Sequence, residues 1–415
     1  MLQTQPPRLG LKENLGQFLL LVLVNAFVGG MVGMERSILP QIAEQDFQLT
    51  AHSAILSFIA LFGISKAMTN YVAGRWADQY GRKKTLLLGW FISIPIPFLL
   101  MWANSWSLIL LANILLGISQ GLTWSSTVIM KIDLAGPKNR GFALGINECA
   151  GYFSVALSAL GTSYIAAEYA LRPQPFYLGI ALILFGGLLS LFLVKETKQF
   201  AELEQKQTPA SSDEPQFSSK ELILHTSFKD KNLSSICQAG LFNNLNDGMA
   251  WGLFPLLFAQ ANQTLESIGI LTAIYPAVWG IGQLFMGGLS DKFGRKGLIV
   301  WGMWLQALGI LGIALSSTFK GFATGSTCLG LGTAMVYPTL LAVIGDVAQP
   351  SWRASAIGIY RLWRDLGYAF GALVAGLVAD YFGLVNASLL IAFLTAMSGV
   401  IVYLRLSEST QTSSN

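Results

Sequence analysis

The chain has 415 residues, of which 53% are hydrophobic and only 12% charged; soluble globular domains carry roughly 25%. That composition excludes an ordinary soluble enzyme, a nucleic-acid-binding domain and a disordered chain, and it suits hydrocarbon as the solvent. The net charge of +4 is too small to imply a polyanionic partner.

A polar stretch with Arg8 and Lys12 opens the chain. The apolar run that begins at Leu15 is too long for a signal-peptide core and reads as a retained span. Further runs place spans near 15–39, 51–74, 84–103, 106–131, 140–165, 176–195, 233–258, 267–289, 297–316, 321–345, 354–379 and 384–404. Each is long enough to cross a core of about 30 Å as a helix. In lipid the backbone must pair within the segment, and runs such as Leu182 to Val194 do not alternate as barrel strands would. The predicted fold is therefore an all-α membrane protein of twelve transmembrane helices. Of the 26 Lys and Arg, 20 fall on the side of the termini, while Arg36, Arg172 and Lys320 fall on the other. The positive-inside rule then puts both termini in the cytoplasm.

The longest loop, about 196–232, is central, and its Gln/Ser/Pro-rich part from Gln205 to Gln216 reads as a linker. Ser218 followed by Glu221 resembles a capping box opening a short interfacial helix. The expected organisation is a six-helix bundle over 1–195, a linker over 196–232, and a second bundle with a short tail over 233–415. The two parts repeat. An offset of 213 carries Asp78 to Asp291, Gly81 to Gly294, Arg82 to Arg295, Asp133 to Asp346, Arg140 to Arg353 and Gly145 to Gly358. A duplicated six-span unit is a transporter architecture with its site between the repeats.

Between the second and third spans stands Gly74-Arg-Trp-Ala-Asp78-Gln-Tyr-Gly81-Arg82-Lys83-Lys84. Between the eighth and ninth stands Gly287-Gly-Leu-Ser-Asp291-Lys-Phe-Gly294-Arg295-Lys296. Each has the form G-x-x-x-D-x-x-G-R-K, which resembles the loop signature of the major facilitator superfamily. The resemblance covers the whole chain in topology. It implies a cytoplasmic latch between the halves built on Asp78 and Arg82, with Asp133 as the partner of Arg82. Asp291, Arg295 and Asp346 are the second-half equivalents, and Arg140 and Arg353 stand on the same side.

Six ionisable residues fall inside spans: Lys66, Glu148, Asp247, Arg361, Arg364 and Asp365. Charges at such depth default to functional candidates with a partner. Arg361, Arg364, Asp365 and Tyr368 follow at i, i+3, i+4 and i+7 and so share one helical face. Lys66 lies eight residues before Gly74, and Arg361 eight after Arg353, so both sit roughly 12 Å in from the same side. Since the second and eleventh spans face each other in the family, a Lys66–Asp365 pair is expected. Glu148 is the offset counterpart of Arg361. The guanidinium groups suit a carboxylate or phosphate, and Glu148 or Asp365 could exchange a proton. Fixed ion pairs are the alternative. Asn243, Asn244 and Asp247 share a face of the seventh span, either for substrate contact or for helix-to-helix bonding. Asn25, Trp124 and Tyr337 are cavity candidates, together with Ser125 and Ser126. Glu35 and Arg36 end the first span on the outer side, as interfacial anchors or an outer gate.

No ATP-binding loop occurs. The string Gly117-Ile-Ser119-Gln-Gly121 lies in an apolar helix, not at the strand-to-helix turn a nucleophile needs. Two histidines and three scattered cysteines give neither a metal site nor a disulfide framework. No cofactor and no enzymatic activity are expected. The expected function is secondary active transport of a small polar or anionic solute by alternating access, coupled to protons, by a monomer in the plasma (inner) membrane. The alternatives are a drug/proton antiporter, although no proline stands in Gly145-Ile-Asn-Glu148-Cys-Ala-Gly151, and a non-transporting receptor or assembly factor.

Overall fold

A computed structural model describes residues 9–136, 140–207, 217–348 and 350–407. Helices account for nearly all of it, and no strand occurs among the described residues. In chain order they are α1 (Leu15–Arg36), α2 (Leu39–Gln45), α3 (His52–Ile55), α4 (Ser57–Tyr80), α5 (Arg82–Ser93), α6 (Pro95–Trp102), α7 (Trp106–Ala135), α8 (Arg140–Glu168) and α9 (Tyr177–Phe192). After them come α10 (Lys198–Gln207), α11 (Ser219–Leu224), α12 (Lys231–Gln260), α13 (Leu265–Phe293), α14 (Arg295–Ala314), α15 (Phe319–Val347) and α16 (Pro350–Arg405).

Local chemistry sets several of the starts. Asp230, Thr264 and Thr318 accept from the backbone N–H groups of Leu233, Ser267 and Gly321, which caps α12, α13 and α15. Ser218 and Glu221 form a reciprocal capping box on α11. The hydrogen bonds from Ser218 also hold the exposed Glu221 carboxyl below its usual range.

Among the described residues, ten helices are long and apolar enough to cross a membrane. Two features separate this from the expected twelve. The 56-residue α16 bends sharply at Gly383 (φ 85°), which divides it into arms of 350–382 and 384–405. The 30-residue α12 is as long as its neighbours but carries Asn243, Asn244, Asn246 and Asp247 in its middle, and these lower its hydropathy.

Helices α1–α9 pack chiefly among themselves, as do α12–α16, and the two sets meet where α8 lies against α13 and α4 against α16. The contact is close. A Cβ on Gly63 of α4 would stand 2.7 Å from the Cβ of Tyr368 on α16, so a side chain at 63 would force the sets apart. One end of the molecule gathers the chain termini: Gly10 N–H donates to the Leu134 carbonyl, Gln17 to that of Leu193, and Ser407 N–H to Asn232. This end is called proximal below, and the opposite one distal. At the distal end, Asp380 of α16 accepts from the backbone N–H groups of His52 and Ser53, so one set caps a helix of the other.

Candidate functional site

Three polar constellations follow one another from the proximal to the distal end. The proximal one is the repeated motif. Most of its first copy is helical, because α4 runs through Asp78 to Tyr80. The turn is Gly81 alone, with φ 102°, and Gly294 repeats it with φ 85°. That left-handed backbone is open to glycine at no steric cost. Arg82, first in α5, reaches Asp78 at 2.9 Å and the buried Asp133 at 3.2 Å, and it donates to the Ala77 carbonyl. Thr197 donates to the same Asp133 oxygen at 2.8 Å. In the second copy Arg295 meets Asp346 at 2.9 Å and Ser290 at 2.6 Å. Arg353 donates to the Ala348 carbonyl. The side chains of Arg140 and Asp291 lie outside the described residues.

Sequence reasoning missed Glu196. Its carboxylate accepts from the backbone N–H groups of Arg82 and Lys83 at 3.0 and 3.1 Å, which caps the start of α5 from the far end of the set. No local pattern marks it, because the partners are 114 and 113 residues away.

The central constellation is a cavity lined by Lys66, Asn70, Trp124, Ser125 and Glu148 from the first set and by Tyr337, Arg361 and Arg364 from the second. It holds about 10 Å³, the space of roughly one water. A polar chain crosses it. Ser125 donates to Asn70 at 2.8 Å, Asn70 donates to Asp365, Asp365 binds Arg364 at 2.6 Å, and Arg364 donates to the Tyr337 hydroxyl.

The expected Lys66–Asp365 pair does not form. The guanidinium next along α16 and the Asn70 amide occupy that carboxylate instead. The ammonium of Lys66 lies 5.4 Å from the ring centres of Phe62 and Trp124 and 5.2 Å from that of Tyr368. Neither Lys66 nor Arg361 takes part in an ion pair among the described residues. The Nε of Arg361 is buried without a partner. Glu148 accepts from Trp124 at 3.0 Å and Asn147 at 2.9 Å on Oε1, while its Oε2 has no partner.

The other sequence candidates lie outside the cavity lining. Asn25 is buried between the Asn147 carbonyl and Thr127. Asn243 bonds Gln306 of α14 and Asn244, and Asn246 bonds Gln306 and Thr395, a network between helices. Tyr275 of α13 donates to Asp247, whose Oδ2 is buried and unpartnered. Ser126 is buried and does not line the cavity. Lys131, which its position near the end of a span counts among the interfacial bases, is fully buried and donates to the Leu21 carbonyl. A long side chain on the inner face of α7 cannot reach the interface.

The distal constellation corrects a further expectation. Arg36 and Glu35 are fully buried, not interfacial. They meet at 3.3 Å, and Asn113 donates to the other Glu35 oxygen. The guanidinium carbon lies 5.5, 4.6 and 4.8 Å from the ring centres of Phe58, Phe62 and Trp251, so rings of both sets enclose it. None of its three nitrogens has a hydrogen-bond acceptor among the described residues. Above this cage is a larger recess of about 670 Å³ at the distal ends, bounded by Gln41, Glu44, Asp46, Arg172, Gln263 and Glu266 among others. It contains none of the predicted site residues.

This geometry accords with what the chain resembles. The family model of the Major Facilitator Superfamily matches residues 20–233 and 236–415. The chain belongs to that superfamily. Multidrug resistance protein 2 of Bacillus subtilis is 25% identical over 87% of this chain and 88% of its own length. A probable 4-methylmuconolactone transporter of Cupriavidus pinatubonensis is 23% identical over 85% and 81%. Among solved structures, a variant of the nucleoside transporter NupG matches with a TM-score of 0.72 at 14% identity, covering 94% of this chain and all of that one. An inward-facing, unoccupied bacterial homologue of the lysosomal transporter Spinster matches with the same TM-score and identity over 94% and 96%. The chain is thus an integral multi-pass membrane protein of a transporter family, not an enzyme.

Proposed function

We propose that the protein moves a small polar or anionic solute across the plasma membrane by alternating access, coupled to protons, as a monomer of twelve spans with both termini in the cytoplasm. The α16 arms and the polar α12 supply the two spans beyond the ten, and α1–α9 and α12–α16 are the two rocking bodies. The central cavity carries this reading. Its lining comes from both sets, it bears three cations, and it is too small for a solute unless one set moves against the other. Glu148, with one carboxylate oxygen unpartnered on that lining, is the proton carrier of the scheme. The repeated motif on the proximal side is the latch.

The test is solute counterflow in proteoliposomes, with and without an imposed pH gradient. Counterflow should be present and should accumulate solute only with the gradient, and Glu148→Gln should keep exchange but lose accumulation. No exchange of any polar or anionic solute would remove the reading. A second reading is drug/proton antiport, favoured by the multidrug relative and the aromatic lining. It predicts efflux of amphipathic cations that depends on Glu148 and not on Arg361.

A further inference from the structure

Counting charge at the central cavity sharpens the solute. With every group ionised, three cations (Lys66, Arg361 and Arg364) face two anions, Glu148 and the adjoining Asp365. Of the other buried charges, Lys131 and Asp247 are one of each sign, and Arg36 and Glu35 pair with each other, so they leave this count unchanged. The site therefore carries one surplus positive charge. The surplus is also localised. Arg364 is satisfied by Asp365 and Tyr337, whereas Lys66 and Arg361 have no ion-pair partner among the described residues and stand on opposite sets. Unpaired cations at such depth are costly unless something brings the missing anion.

The walls specify the rest of the ligand. Trp124 packs on Tyr152 at 5.3 Å between ring centres, Tyr152 stacks on Trp279 at 3.5 Å, and Trp279 meets Tyr337 edge-on at 5.8 Å. These four rings form an unbroken arc from the first set to the second, and its two ends, Trp124 and Tyr337, line the cavity. Tyr152 and Trp279 are spent on each other, so the two ends supply the ring surface for a flat apolar body.

We infer that the solute is a planar monocarboxylate, its carboxylate clasped between Lys66 and Arg361 and its ring or conjugated body laid against Trp124 and Tyr337. This rests on the transport reading and narrows it. While Glu148 is ionised, one carboxylate neutralises the surplus, whereas a dianion would leave a negative charge uncompensated in low dielectric. Because one cation belongs to each set, the anion also draws the sets together, so occupancy favours the closed cavity.

The experiment is calorimetric binding and thermal stabilisation of the purified protein in detergent, using benzoate, 4-hydroxybenzoate and cinnamate. Phthalate, benzamide, benzylamine and cyclohexanecarboxylate are the comparison ligands. At least one planar monocarboxylate should bind more tightly than its amide, amine, dicarboxylate and saturated counterparts. Lys66→Met and Arg361→Gln should each weaken it by about tenfold or more, the loss of one charge-assisted contact. Lys66→Arg and Arg361→Lys should retain the preference for anions, and size-exclusion elution checks that all four variants fold. Binding of amide or amine as tightly as carboxylate, or unchanged affinity in both neutral variants, overturns the inference. Flux separates the two claims. Binding without counterflow sinks the transport reading alone, and counterflow of other solutes without carboxylate binding sinks the planar monocarboxylate alone.

Discussion

Two buried arginines, one at each end of the molecule, solve the same problem in opposite ways. Arg82 at the proximal end is nearly buried, yet its guanidinium meets two carboxylates and a carbonyl, and one of those carboxylates, Asp78, is 70% exposed. Arg36 at the distal end is fully buried, has one carboxylate at 3.3 Å, and is otherwise enclosed by rings. The first is a network within one set, satisfied by its own neighbours and open to water at Asp78. The second is a dry plug. Its separation must take Trp251 off the cation and bring water to a guanidinium with no hydrogen bond of its own. Along α4, Phe58 and Phe62 lie between the distal end and Lys66, so the plug stands between the distal recess and the central cavity.

The largest effect is expected at Arg36. Arg36→Ala strands Glu35 as a buried unpaired carboxylate, which typically costs about 3–5 kcal/mol. The expected outcome is a large fall in melting temperature in detergent, largely restored in the double variant Glu35→Gln/Arg36→Met. A wild-type melting curve for the single variant would end the idea of a dry structural plug. Trp251→Ala comes next. It removes one desolvated cation–π contact, worth about 2 kcal/mol, and should admit water-soluble thiol reagents added from the distal side to a Ser125→Cys variant on the cavity lining more readily than in the parent. Unchanged labelling would mean that Trp251 does not hold the distal side shut.

At the proximal end the effects should be smaller. Arg82→Ala leaves the buried Asp133 with Thr197 alone, and a cost of about 1–3 kcal/mol is expected from thermal unfolding. Asp78→Asn should move stability least, by less than about 1 kcal/mol, because the carboxylate is largely in water. Its turnover in proteoliposomes should nonetheless fall, and full turnover would remove the latch role.

Particular residues show how far the sequence reached. The motif copies, with Gly81 and Gly294 in the same left-handed turn, were legible because both the repeat and the turn are local chemistry. The pairing of Arg82 with Asp133 and of Arg295 with Asp346 follows the same offset. Lys66, Glu148, Arg361 and Arg364 were legible as a set because a charge in an apolar run needs an aqueous or paired setting. Their pairing was not legible. Depth along a helix gave Lys66 and Arg361 similar levels and the resemblance set their helices face to face, but the Asp365 carboxylate went to Arg364 and Asn70. Span counting likewise put Arg36 at a surface and Lys131 at an interface, because hydropathy measures position along a helix and not the direction a side chain takes.

The solvent, the helical class, the repeat and the list of charges in the membrane are all written in the order of residues along the chain. These follow from composition, from the backbone's need to pair in lipid and from spacing along one chain. Which charges are satisfied and which are left over is set by the packing of the helices. Ion pairs form over a few ångströms between helices distant in sequence, so Glu196 on the start of α5, Trp251 on Arg36 and the unpaired Lys66 and Arg361 depend on how the two sets pack.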